Sequence, residues 1–204
     1  MEFRKKKEEN CIAPYGQSRE VGDAYTYLAY KRETDFLICQ AVGKWNETTC
    51  NTFYERLASR LRFPTRKRRL TIFSDGNKQN ITGIQNNFPQ GCVNYAIRKK
   101  IRENQKILGI VSQVIFGNVA LDKISITHID GFCSKLRERI SCFTRKARSF
   151  AKRKIGLEDR LEIFSISHNF IEKKFGETPA MKEGITNRIM TWTQILHTRL
   201  SYLN

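Results

Sequence analysis

The order of strand-like and helix-like segments is the feature that most limits the folds open to this chain. Residues 24–30 and 35–42 carry aromatic and other strand-forming side chains on either side of a polar turn, which predicts an antiparallel hairpin. A helix is predicted next, because Asn46 suits an N-cap and apolar residues follow three or four positions apart, at Cys50, Phe53, Leu57 and Leu61. Residues 70–73 then form a short apolar strand. This order predicts an α/β fold.

The second half of the chain continues this mixed pattern and then becomes helical. Residues 92–97 and 111–116 are further strand candidates, separated by a basic run at Arg98, Lys99, Lys100, Arg102 and Lys106. A helix over 130–150 is indicated by apolar residues at Leu136, Ile140, Phe143, Ala147 and Phe150. A second helix, starting near Gly156 or slightly before it, is indicated by Leu157, Leu161, Phe164, His168, Ile171 and Phe175.

The net charge indicates a polyanionic partner. The chain has 37 Lys and Arg against 20 Asp and Glu, a balance of +17. Nucleic acid is the favoured partner, because each neutralised phosphate releases condensed counterions. An anionic membrane surface is the alternative, but it requires a basic amphipathic helix outside the core, and we find none in the sequence. Without a secretory signal or a bilayer-length apolar run, we expect a cytoplasmic, nucleoid-associated protein.

The cysteines do not predict a metal site. They stand at positions 11, 39, 50, 92, 133 and 142, and none belongs to a C-x-x-C pair. We therefore expect no zinc site, and reduced thiols that lie mostly in the core.

Two aspartates are candidates for chemistry, and each has a purely structural alternative. Asp75 follows the short strand and precedes Gly76, which is where α/β folds place ligands; Ser-Asp-Gly is also ordinary turn chemistry. Asp130 begins the predicted 130–150 helix, on the same flank as Arg137. A metal-binding acid beside phosphate-binding arginines suits a nuclease or transposase, but an acid in a first helical turn is favourable by itself.

The predicted 130–150 helix is strongly basic. From Ser134 to Lys154, nine of 21 residues are Lys or Arg, and Glu138 is the only acid. Solvated helices normally mix charges, so an unmixed run favours contact with DNA or RNA. The predicted phosphate contacts are Arg137, Arg139, Arg145, Lys146, Arg148 and Lys152. Among the histidines, His168 is expected to be packed in the core, while His128 is a candidate supporting residue beside Asp130.

Several segments, taken in order, resemble transposases of the insertion-sequence-one type. They are Gly22–Ala29 with Arg32–Thr34 and Val42-Gly43, Leu57–Leu61, Leu70–Asn77, Thr127–Asp130 with Arg137, Phe143–Lys146 with Phe150–Lys152, and Thr178–Met181 with Gly184–Thr186. The resemblance is collinear over roughly residues 20–195.

This resemblance implies an RNase H-like α/β fold, a mixed sheet flanked by helices, acting on transposon DNA ends. Three acids of that family hold two divalent ions, Mg²⁺ or Mn²⁺, for in-line attack on phosphate. Asp75 would be the second acid, and Asp130 stands where the family has Glu. The strand with the first acid retains only Phe3, so we expect the first strand and its acid to be missing. This implies an exposed sheet edge, self-association, and a protein that binds DNA without catalysing strand transfer.

The expected organisation is a remnant over residues 1–20, the catalytic-type core over 21–176 and a C-terminal tail over 177–204. Two other functional classes remain open. One is a basic nucleic-acid-binding protein with no enzymatic ancestry. The other is an active nuclease that combines Asp75 and Asp130 with Glu2 or Asp23.

Overall fold

The strands form two three-stranded sheets in a computed structural model that describes residues 2–4, 23–104, 106–144 and 153–198. Sheet A is antiparallel and consists, in spatial order, of β1 (Glu2–Arg4), β2 (Asp23–Lys31) and β3 (Phe36–Gly43). Sheet B consists of β4 (Leu70–Ser74), β5 (Val93–Glu103) and β6 (Lys106–Phe116). In sheet B, β4 and β5 are parallel and β6 is antiparallel to β5. The predicted β2–β3 hairpin and the mixed α/β class are therefore confirmed.

The helices lie between and after the strands. They are α1 (Glu47–Arg60), α2 (Gln79–Asn87), α3 (Thr127–Arg139), α4 (Lys154–Ile166), α5 (Pro179–Lys182) and α6 (Trp192–Leu196). Short 3₁₀ turns occur at Leu121–Lys123 and Ser141–Phe143, and a π-helical turn over Ser167–Ile171 extends α4. No helix in the described part of the chain is both long and apolar enough to cross a bilayer.

Side chains of the β2–β3 hairpin alternate between two apolar cores. Tyr25 and Tyr27 of β2 pack into the core formed with α1, α2 and β5. Leu28 and Tyr30 pack into the core formed with α3 and α4. Since successive strand residues point to opposite faces, sheet A has helices on both of its faces.

Helix α1 covers one face of both sheets. Asn46 is its N-cap, as predicted, and accepts a hydrogen bond from the Thr49 backbone N–H at 2.9 Å. The predicted apolar stripe Cys50, Phe53 and Leu57 is buried in a core that also contains Tyr95 of β5. The two sheets therefore share one helical layer.

The cysteines of the described ranges are free thiols, as expected. Cys39, Cys50, Cys92 and Cys142 are buried, and Cys133 is half-buried. Burial raises the pKa of the Cys39 thiol to about 12 and that of Cys50 to about 11, so both remain protonated near neutrality.

His168 is a packed core histidine, as predicted. It is buried beside the rings of Phe132 and Phe164. Its Nδ1 lies 2.9 Å from the Lys135 Nζ, and its Nε2 lies 2.8 Å from the Asp35 carbonyl oxygen. An ammonium group donates and a carbonyl accepts, so this geometry requires a neutral imidazole protonated at Nε2.

Three sequence predictions about the second half were wrong. The 130–150 helix ends at Arg139. The extended Ile140 and a 3₁₀ turn over Ser141–Phe143 follow, and Cys142 and Phe143 are buried from that turn. The basic run after Ile97 lies inside a long β5–β6 hairpin and not between two short strands. Phe175 lies beyond the end of the helix and is 94% exposed.

The first strand is shortened but present. The three residues of β1 pair with β2 in the register Glu2 to Tyr25, Phe3 to Ala24 and Arg4 to Asp23. The expectation of a missing strand therefore has to be corrected to a short strand, because backbone pairing with β2 does not depend on which side chains remain.

We expect the free energy of unfolding to fall at acidic pH because His168 is buried as a neutral imidazole. Burial is the main cause that lowers the pKa of its imidazole, so the unfolded chain binds a proton that the folded chain rejects. The contribution of this group to stability is present above the unfolded pKa of about 6.5 and is lost as the pH falls through that value. Urea unfolding of the wild type at pH 7 and pH 5.5 measures this loss, which His168→Gln should largely abolish. The exposed His128→Gln is the matched control, and an equal loss in His168→Gln would contradict the assignment.

Candidate metal and phosphate site

Asp75 lies in a tight turn at the C-terminal end of β4. Its Oδ1 accepts a hydrogen bond from the Asn77 backbone N–H at 3.3 Å, and Gly76 has a φ of +86°. Asp75 therefore lies in the Ser-Asp-Gly turn that was the structural alternative to a functional role. The carboxylate is nevertheless exposed, and within the described ranges its Oδ2 has no hydrogen-bond partner.

A buried hydrogen-bond network holds this turn in place. Ser74 Oγ lies 2.7 Å from the Tyr95 hydroxyl and accepts hydrogen bonds from Asn80 Nδ2 at 3.1 Å and from the Gly76 N–H at 3.2 Å. Burial raises the pKa of Tyr95, and the nearby Asp75 charge adds to this rise. The network limits the movement of the Asp75 backbone, which is a requirement for a metal or phosphate site.

Asp130 lies in the first turn of α3 and is paired with β5. Its Oδ2 accepts a hydrogen bond from Lys100 Nζ at 2.9 Å. Both side chains are well exposed, at 51% and 39%, so solvent screens the pair and it contributes little to stability. Its main effect is positional, since it brings a cation from the β5–β6 hairpin to the start of α3.

The charges of both aspartates reach the same thiol. Burial raises the pKa of Cys133, the Arg137 charge opposes this rise, and the carboxylates of Asp130 and Asp75 add to it. Cys133 lies on α3, almost one turn after Asp130, whereas Asp75 follows β4. Both carboxylates therefore disfavour the thiolate form of Cys133.

Two lysines border the aspartates. A Cβ atom at Gly76 would lie 2.2 Å from Lys99 Cε, so the Lys99 side chain crosses the Asp75 turn. Lys100 is paired with Asp130. These lysines were not among the residues predicted for the site, although the uninterrupted run Arg98-Lys99-Lys100 directly after a predicted strand was an available signal.

Asp75 and Asp130 fit a divalent cation only in part. Carboxylate oxygens are the donors that Mg²⁺ prefers. Within the described ranges, no group of three or more His, Cys, Asp or Glu residues is arranged to hold a metal ion. The side chains of Glu2 and Asp23, the candidates for a third acid, lie outside the described part of the chain, as do Arg145, Lys146, Arg148 and Lys152.

Arg137 and Arg139 lie on α3, the same helix that carries Asp130. Arg137 follows Asp130 by two turns, and its Nε is buried without a hydrogen-bond partner in the described part of the chain. Arg139 is 58% exposed, and its Nη1 lies 4.0 Å from Glu172 Oε1. The nearby His128 is exposed. The role of Arg137 and Arg139 as phosphate contacts stays a prediction.

No protein-family model, curated protein or solved structure matches the chain. Its function is therefore inferred from its own residues and their geometry.

The reactivity of Cys133 should report on both aspartates. Asp75→Asn and Asp130→Asn each remove a charge that raises the pKa of this thiol, so each should speed its alkylation by iodoacetamide about twofold at slightly alkaline pH. Peptide mass spectrometry would follow Cys133 separately from the other thiols. Asp122→Asn, an exposed acid in the turn before α3, is the matched control. An unchanged rate in Asp75→Asn would show that Asp75 and Cys133 are not neighbours.

Proposed function

We propose that this chain is a transposase-derived DNA-binding protein with an RNase H-like core. In this proposal, Asp75 and Asp130 are two of three ancestral metal-binding carboxylates. The observation that supports it best is that each carboxylate site lies beside a lysine of β5, the Asp75 turn beside Lys99 and Asp130 beside Lys100. Carboxylates and cations grouped at one end of a parallel strand pair suit phosphoryl transfer on a polyanion.

The strand arrangement is compatible with this proposal. Sheet A is antiparallel and sheet B contains the parallel pair β4–β5. The two sheets have a common helical layer. If β1 also lies beside β4, the six strands form one mixed sheet flanked by helices, as the transposase resemblance implies.

DNA is the proposed partner, with transposon ends as the ancestral substrate and the nucleoid as the site of action. The net charge of +17 provides long-range attraction to any nucleic acid. Arg137 and Arg139 of α3 provide local contacts, because exposed or unpaired guanidinium groups bind phosphate oxygens in a bidentate manner. We propose that Arg145, Lys146, Arg148 and Lys152 extend this contact.

Catalysis of strand transfer is not part of the proposed present function. Asp75 and Asp130 would hold Mg²⁺ or Mn²⁺, which would activate water or a DNA 3′-hydroxyl. The first family acid has no counterpart in the sequence, and Lys100 already neutralises Asp130. Two-ion chemistry depends on shared carboxylates, so removing one ligand usually abolishes it.

A non-enzymatic nucleic-acid-binding protein is the second candidate. The Lys100–Asp130 ion pair favours it, because the ammonium group occupies a carboxylate oxygen that a metal ion would need. In this case the lysines and arginines bind phosphate, and the aspartates only position them.

Binding to a short DNA duplex should depend steeply on salt, and the α3 arginines should contribute to that dependence. Arg137→Gln and Arg139→Gln should each reduce the slope of log K against log [salt] by about 0.9, the value for one lost phosphate contact. Fluorescence anisotropy over a salt series measures this slope. The exposed tail variant Arg188→Gln is the control and should retain the wild-type slope. Wild-type slopes in both α3 variants would contradict the proposed contact surface.

Plasmid DNA incubated with the purified chain and Mg²⁺ or Mn²⁺ should be bound but not cut or joined, because one metal ligand is lacking. An upstream-extended chain that restores the family's first acid should cut, and Asp75→Asn in that chain should abolish cutting. Metal-dependent joining by the unextended chain that is lost in Asp75→Asn would overturn the inactive part of the proposal. If neither chain cuts and both bind DNA, the second candidate is favoured.

A further inference from the structure

The β5–β6 hairpin extends beyond the third strand of sheet B. Strand β4 pairs with β5 only as far as Ile97, whereas β5 and β6 stay paired to Glu103 and Lys106 at the tip of the hairpin. Within the described ranges this distal part, residues 98–103 with 106–112, has only two strands, and we refer to it as the ribbon. Two strands alone are marginally stable in water, so an element that covers the edge of the ribbon would stabilise it.

Aliphatic side chains are exposed on both faces of the ribbon. Ile110 lies opposite Lys100 and Val111 lies opposite Lys99 in the antiparallel register, and successive strand residues point to opposite faces. Contiguous apolar surface of this kind marks an interaction site. A partner strand beside β6 would contact it on both faces through cross-strand side-chain pairs, whereas a partner packed on one face would leave the other exposed. The aliphatic residues concerned, each between 46% and 63% exposed, are Ile101, Ile107, Leu108, Ile110 and Val111.

The free edge of the ribbon is β6. This strand ends sheet B, and among the described residues its backbone forms hydrogen bonds with β5 alone. Irregularities in the β5–β6 register leave one regular stretch of β6, from Gly109 to Val114. Natural proteins protect exposed edges with charged side chains, and this stretch has none. The backbone N–H and C=O groups on the outer side of Gly109–Val114 are therefore open to pairing with another strand.

The distribution of charge indicates which partner fits this edge. The chain has a net charge of +17, so two copies repel each other wherever their basic surfaces meet. No residue from Ile107 to Leu121 is charged, so two β6 edges can meet without opposing like charges on that strand. An antiparallel edge is also complementary to itself, because a two-fold rotation places the N–H groups of one strand against the C=O groups of the other. Nucleic acid would need cations, which residues 107–121 do not supply.

We propose that a second copy of this chain pairs with β6, so that Gly109–Val114 of the two copies run antiparallel about a two-fold axis close to Val111. The pairing joins two copies of sheet B into one six-stranded sheet and covers exposed aliphatic side chains of both ribbons. Each copy contributes the same edge, so the contact is complete in a dimer and does not propagate. The dimer is expected to be weak and reversible, because the interface is small. This inference is independent of DNA binding and of any metal at Asp75 and Asp130.

Analytical ultracentrifugation of the nucleic-acid-free protein over a concentration series tests this dimer, and a monomer–dimer equilibrium is expected. Val111→Lys and Val111→Glu each place like charges near the two-fold axis, so each should raise the dissociation constant at least about tenfold. The two variants change the net charge in opposite directions, so a shared loss of the dimer cannot come from overall repulsion. Glu at this position faces Lys99 across the ribbon, which favours the folded monomer. Leu196→Lys, an exposed site on α6, is the matched control and should dimerise like the wild type.

Amide hydrogen exchange locates the contact. Peptides that contain residues 109–114 should exchange more slowly at protein concentrations above the dissociation constant than below it, because pairing protects the outer amides of β6. Peptides from β1 and β2 should exchange at the same rate at both concentrations. The proposal is overturned if the wild type stays monomeric, if assemblies grow beyond a dimer, if either Val111 variant dimerises like the wild type, or if protection appears elsewhere and not in β6.

Discussion

Burial of the β2–β3 hairpin on both faces is the constraint on which the other elements depend. One set of its side chains meets α1 and α2, and the other set meets α3 and α4. A shift of one residue would exchange the two sets, so the register is strongly determined. An irregularity opposite Ala29 and Tyr30 changes the face on which β3 residues lie. It allows Leu37 to join the α4 core while Cys39 remains in the α1 core.

The same constraint positions the charged groups that matter for function. Helix α1 packs under both sheets, so sheet B and its Asp75 turn are placed relative to the hairpin. Helix α3 is held against the other face through Phe132 and Leu136, and its first turn carries Asp130. The positions of both carboxylates therefore depend on the packing of helices on the two faces of the hairpin.

The parts of the fold that depend on local periodicity were predictable from the sequence. Alternation in the hairpin, the Asn46 cap and the stripes of α1 and α4 each extend over neighbouring residues, and the structure contains all of them. The predictions that were wrong involve competition between local pattern and packing. The spacing predicted that the helix continues through Phe143, whereas Cys142 and Phe143 enter the core from a 3₁₀ turn after Arg139. The basic segment after Ile97 has no core-facing pattern, so only its pairing with β6 revealed it as a strand.

The candidate site also has parts that were predictable from the sequence and parts that were not. Asp75 and Asp130 were recognisable as candidates because a strand end and a first helical turn can be read locally from the sequence. The lysines beside them could not be predicted from the sequence, since the contacts of Lys99 with the Asp75 turn and of Lys100 with Asp130 join segments far apart along the chain. By itself the sequence determined the α/β class, the hairpin, the helix caps and the excess of positive charge. Only the tertiary structure decided which charged groups became neighbours, because the packing of helices on both faces of sheet A sets those distances.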